Sequence, residues 1–117
     1  MATRKQQKLQ ELQLACVRDQ QAGVITSLGI RMAYEEKDIA AVDGITRYAE
    51  RKQLEKIPLI VTSDNVQYQN RFSPAQGYAL VEDMFEAKMS AYCKFNELAA
   101  LAASAKTQEE LDAITWK

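Results

Sequence analysis

Apolar positions recur at helical spacing through residues 73–104, and this stretch dominates the chain. Tyr78, Val81, Phe85, Met89, Tyr92, Ala99 and Ala102 form one stripe, and Met84, Ala91, Phe95 and Leu98 widen it. Glu82, Asp83, Glu86, Lys88, Lys94 and Glu97 fall between them and are expected to face water. Ser73 is suited to cap the first turn, and Pro74 follows where its missing N–H costs nothing. Gln76 completes a capping box. The pattern predicts a helix of about 30 residues, roughly 45 Å long. Phe85, Met89, Tyr92 and Phe95 are expected to anchor a core or an interface between subunits.

The same reading places a helix over residues 3–21, with Leu9, Leu12 and Cys16 on its apolar face and Leu14 and Val17 broadening it. Its first two turns carry almost nothing apolar, so residues 1–8 are expected as a flexible or partner-bound arm. Gly23 closes the helix. Residues 24–26 and 30–33 read as short strands around a bend at Gly29. A helix over residues 35–53 buries Ile39, Val42, Ile45 and Ala49, flanked by Ala41 and Tyr48, with Gly44 permitting a close approach. Residues 57–62 and 66–70 alternate as a hairpin around Ser63, Asp64 and Asn65, and Asn65 is able to take a positive φ. That hairpin needs the long helix or a third strand from the Ile30 region for support. Phe72 is placed to staple the first turn of the long helix. Thr107 and Glu110 mark a second capping box, opening a short helix whose Leu111, Ile114 and Trp116 fold back onto Ala99, Ala100, Ala102 and Ala103. No internal repeat is read. The fold class is α+β: a small sheet packed on a long helix, within one domain of residues 1–117.

Composition narrows the chemistry. The chain has no histidine, which removes Ser-His-Asp and Cys-His catalysis and histidine-based metal sites. Four scattered glycines make no phosphate loop. Cys16 and Cys93 match no zinc spacing and read as buried thiols. Glu82, Asp83 and Glu86 read as a solvated face that suits the helix dipole, and Asp64 and Asn65 as turn formers. The net charge of −1 favours neither nucleic acid nor an anionic membrane. Arg4, Lys5 and Lys8 read as a solvated helix end, and Tyr68 and Tyr78 lack the basic groove that base stacking needs. No signal peptide and no apolar span of membrane length is seen, so the expected place is a cytoplasm or a particle built there. No enzyme activity, cofactor or metal is expected.

Residues 57–116 carry LIVTSDNVQYQ, the helix opening FSPAQ, the alanine-rich end and the terminal TQEELDAITW. Together these resemble a domain-of-unknown-function family of small proteins of tailed bacteriophages and prophages, encoded near tail-fibre genes, whose members end in a similar T-x-E-E-L-x-A-I-x-W stretch. The resemblance implies a phage tail-associated structural protein or a fibre or baseplate adaptor. Such a protein acts by protein–protein interaction, in the virion or in the host cytoplasm during assembly. Its partners are copies of itself, as a homo-oligomer, or a tail or fibre protein. A tail-fibre or tail assembly chaperone and a small phage-encoded inhibitor of a host protein are the alternatives. The resemblance brings no catalytic residue. Trp116 is expected to clamp the terminal helix or to serve a partner as a hot spot.

Overall fold

The structure, a computed structural model, describes residues 2–117. The order is α1 (Ala2–Ala22), β1 (Val24–Ile25), β2 (Arg31–Met32), α2 (Glu36–Arg51), β3 (Leu59–Val61), β4 (Gln67–Gln69), α3 (Pro74–Ser104) and α4 (Gln108–Asp112). The strands form two separate antiparallel pairs, and the fold is α+β. The β3–β4 hairpin gains no third strand from the Ile30 region, because Ile30 and Arg31 close a hairpin of their own. By its internal packing the chain groups into two compact units: residues 2–19 with 89–117, and Gln20–Lys88.

The first unit is helical. Leu12, Ala102, Ala105, Leu111 and Ile114 make its core, with Phe95, Leu98 and Trp116 packed against it. Small side chains at Ala102 and Ala105 let α4 lie close. Thr107 Oγ1 accepts from Glu110 N–H at 3.1 Å, as an N-cap should. The Glu110 carboxylate returns to Lys106 N–H rather than to the cap residue. The stretch expected as a loose arm is the start of α1. There Arg4 donates to Gln108 Oε1 (2.6 Å), Lys5 to the Ala103 carbonyl (2.7 Å) and Lys8 to the Ile114 carbonyl (3.0 Å). Lys5 and Lys8 thus meet main-chain carbonyls at or just past the C-terminal ends of α3 and α4, where a helix favours positive charge, whereas Arg4 meets a side-chain amide at the start of α4. Met1 of the expected arm lies outside the described residues. Leu14 and Val17 are exposed and do not broaden the core face.

The second unit is a β-hairpin and a helix, twice. β1–β2–α2 is followed by β3–β4–α3, a recurrence in the order of elements. Each hairpin turns through three residues, 27–29 in one and 63–65 in the other. Thr26 N–H donates to the Ile30 carbonyl and Thr62 N–H to the Val66 carbonyl, both at 2.9 Å. The last turn residue is left-handed in each, Gly29 at φ 81° and Asn65 at φ 62°. In each, a serine N–H and hydroxyl share one acceptor. Ser27 uses Asp83 Oδ2 (2.9 and 2.7 Å) and Ser63 the Arg31 carbonyl (3.2 and 3.3 Å). The repeat escapes sequence inspection because it resides in turn and cap positions, not in shared apolar residues.

Each helix then opens on a box. Glu35 N–H donates to Asp38 Oδ2 (3.1 Å) ahead of α2. Ser73 N–H donates to Gln76 Oε1 (2.9 Å) and Gln76 N–H to Ser73 Oγ (3.3 Å) ahead of α3. Phe72 is buried, but the staple position four residues past the cap is Gly77; Phe72 instead stands edge-on to Tyr68 at 5.4 Å. α2 ends without glycine. Gln53 takes φ 58°, its N–H bonds the Glu50 carbonyl, and Leu54 N–H bonds the Ala49 carbonyl, a Schellman close.

Glycine 77 also supplies the close approach expected of Gly44. A Cβ at Gly77 would run into Thr46 and Ile57, whereas one at Gly44 meets nothing within 4 Å. Within α2 the buried row is Val42, Thr46 and Ala49. Ile39 and Ile45 are half-buried, while Ala41 and Tyr48 are exposed.

Candidate protein-interaction surface

The apolar face of α3 is not the one its richest stripe predicts. Leu80 and Met84 are fully buried at 0%, followed by Lys88, Ala91 and Ala102. Phe85 is 51% exposed, Met89 38% and Tyr92 42%. The flanking row of Met84, Ala91, Phe95 and Leu98 is therefore the inward one; of the expected main stripe Ala102 is buried and Tyr78, Val81 and Ala99 are half-buried, while its largest members, Phe85, Met89 and Tyr92, turn outward. The physical reason is phase. Gly77 lets α3 approach Thr46 and Ile57 closely, and this fixes the face that carries Gly77, Leu80 and Met84 against the core. Lys88 joins that buried face although its ammonium was expected in water.

Counting from the caps sharpens the comparison with α2. Seven and eleven residues past Glu35 stand Val42 and Thr46; the same steps past Ser73 reach Leu80 and Met84, and all four are buried. Twelve and sixteen residues past the caps stand Arg47 and Arg51 in α2, and Phe85 and Met89 in α3. All four are exposed. The fold thus puts this row in solvent in both helices. α2 fills it with guanidinium groups, whereas α3 fills it with an aromatic ring and a thioether. Scattered single apolar residues on a surface need no account, but a row at helical spacing does.

The other candidates are placed as follows. Phe95 is half-buried against the core of the first unit. Trp116 clamps the tail. Its Nε1–H donates to Asp19 Oδ2 at 3.2 Å, and Lys94 Nζ lies 4.4 Å from the ring centroid, a cation–π contact. Asp83 is not merely solvated but holds Ser27; Glu82 and Glu86 are exposed. Asp64 and Asn65 form the β3–β4 turn. Tyr78 donates to Glu50 Oε1 at 3.2 Å and lies under Arg47, which is bonded to Asp43 at 2.9 Å. Partial desolvation, then Glu50, raises the Tyr78 phenol above its ordinary value, so it remains a donor. Asp43 likewise raises Arg47, first through the hydrogen bond and then through charge.

Cys16 is buried, with its thiol 3.9 Å from the Ala91 carbonyl; Cys93 is exposed, and the two are not joined. Among the described residues no group of three His, Cys, Asp or Glu side chains is placed to hold a metal ion. No described helix is long and apolar enough to cross a membrane.

Sequence reasoning missed one feature altogether. A cleft of about 580 Å³ opens in the second unit, between α2 and the β2 and β3 strands. Ala41, Val42 and Ile45 supply its apolar side from α2, and Leu59, Ile60 and Val61 line it from β3. Only tertiary packing brings these segments together, so no local pattern could announce it. No family model, no curated protein and no solved structure matches this chain.

Proposed function

We propose that the chain is a phage tail-associated structural protein, a fibre or baseplate adaptor that acts through protein–protein contact. Its partners are further copies of itself or a tail or fibre protein, in the virion or in the host cytoplasm during assembly. The observation that carries the contact role is the solvent-facing row of α3, where Phe85 and Met89 stand in the positions that Arg47 and Arg51 hold in α2. An apolar row kept where the twin helix is charged suits association, since apolar area removed from water is the main drive for docking. The tail assignment comes from the resemblance of residues 57–116, ending in TQEELDAITW, to small tail-linked phage proteins.

Mass spectrometry of purified particles of a phage that encodes the chain tests this reading. The expected result is the chain in the particle, in constant ratio to a tail protein. Presence only in the infected-cell lysate, bound to a tail or fibre protein, would replace the structural role by an assembly chaperone. Presence there with no tail protein attached would end the tail reading.

A further inference from the structure

The cleft of the second unit is bordered by an open strand edge. In an antiparallel pair, successive residues alternate between bonding the partner strand and pointing away from it. Thr62 N–H bonds the Val66 carbonyl, and Asn70 N–H reaches the Pro58 carbonyl at 3.3 Å. With Ile60 facing Tyr68, residues 58, 60 and 62 therefore bond β4. Leu59, Val61 and Ser63 turn their main-chain groups to the opposite edge. Ser63 N–H is used there, on the Arg31 carbonyl of β2 at 3.2 Å. With the Ser63 hydroxyl on the same carbonyl at 3.3 Å, it holds the β2 and β3 edges together at one end. From there the cleft opens, with the unpaired N–H and C=O groups of Leu59 and Val61 along it and Ala41, Val42 and Ile45 of α2 beneath. Among the described residues nothing bonds those outward groups.

We propose that this cleft takes an extended segment of another protein, which adds to β3 as a further strand. A row of unpaired amides and carbonyls along a strand selects extended backbone of its own kind, with alternate side chains entering the apolar side of the cleft. The wall fixes the charge. Glu35 and Asp38 face the cleft against the single Lys37, so a segment carrying lysine or arginine is drawn in and an acidic one repelled. The inference stands on Gln20–Lys88 alone and makes no use of the exposed row of α3 or of the tail reading.

The test is fluorescence anisotropy with the whole chain and a labelled, end-capped peptide, Lys-Val-Thr-Val-Thr-Lys. Three controls accompany it: the same peptide N-methylated at alternate amides, the peptide with glutamate for lysine, and the variant Val61→Pro. Proline at Val61 removes an outward N–H that the β3–β4 ladder does not use, and an edge strand tolerates it. The expected result is saturable binding that each control weakens by about tenfold or more. If Val61→Pro fails to fold, the N-methylated peptide carries the same question. Absence of saturable binding, or binding indifferent to both N-methylation and Val61→Pro, overturns the proposal. So does a chain that is dimeric alone and becomes monomeric as Val61→Pro, because its own copy would then hold the edge.

Discussion

The two hairpin–helix repeats of the second unit share a frame and differ in what they hang on it. The frame is the three-residue turn, the serine that ties each turn down, the box at the helix start, and burial seven and eleven residues beyond the cap. On this frame α2 carries Val42 and Thr46 inward and Arg47 and Arg51 outward. α3 carries Leu80 and Met84 inward, with Phe85 and Met89 outward. The difference teaches that a close approach such as that at Gly77, four residues past the cap, and not the greatest apolar mass, sets which side of a helix faces the core. α3 has two apolar rows, and the bulky middle of its richer row, Phe85, Met89 and Tyr92, is exposed.

The largest effect expected from this comparison is at Met84. Met84→Ala removes a fully buried side chain and should cost about 2–5 kcal/mol, read as a lowered denaturant midpoint. The matching position in α2 is Thr46, also fully buried, whose hydroxyl donates to the Val42 carbonyl at 2.7 Å. An unchanged midpoint for Met84→Ala would mean that the phase counted from Ser73 is wrong, and the comparison between the repeats would collapse.

The next effect separates two glycines by sign. Ala at Gly77 meets Thr46 and Ile57. Ile57 offers only the end of its side chain and can shift, but Thr46 is buried and bonded, so overpacking of about 1–3 kcal/mol is expected. Ala at Gly44 meets nothing, and the helix gains roughly 1 kcal/mol because Ala loses less backbone freedom. Thermal unfolding of the two variants should therefore move in opposite directions. Movement in the same direction would show that Gly77 does not set the approach of α3.

Much of the framework was legible in the residues for local reasons. The Ser73–Gln76 box, the left-handed Gly23 and Asn65, the β3–β4 hairpin, the bend between β1 and β2 and the Thr107 cap each rest on a few neighbouring side chains whose backbone demands are narrow. The phase of α3 was not legible by the same means. Tyr78, Phe85, Met89 and Tyr92 outweigh Leu80 and Met84 in apolar bulk, and periodicity gives the existence of a stripe without saying which of two stripes is covered. The signal that could have decided it was Gly77, a helical residue with no side chain at one turn past the cap. The cleft beside β3 and the docking of Arg4, Lys5 and Lys8 depend on segments far apart in sequence. Gln53, left-handed without being glycine, ended α2 with no residue that marks such an end.

The smallest expected effect on the folded chain is the most informative about the exposed row. Phe85→Ala and Tyr92→Ala together remove two aromatic rings that stand 51% and 42% exposed. Phe85→Ala should move the unfolding midpoint by no more than the equivalent of about 0.5 kcal/mol, the usual scale of a surface change. Their effect belongs in association. Light scattering behind a sizing column, run across a range of concentrations, should show the native chain in a larger species that the double variant loses. Arg47→Ala in α2, at the position that matches Phe85, should leave that species intact. Loss of stability without a change in mass would return Phe85 and Tyr92 to a packing role. A native chain monomeric throughout, with the double variant equally stable, would leave the row without a self-partner. The difference between Phe85 and Arg47 would then point to a tail or fibre protein rather than to a second copy.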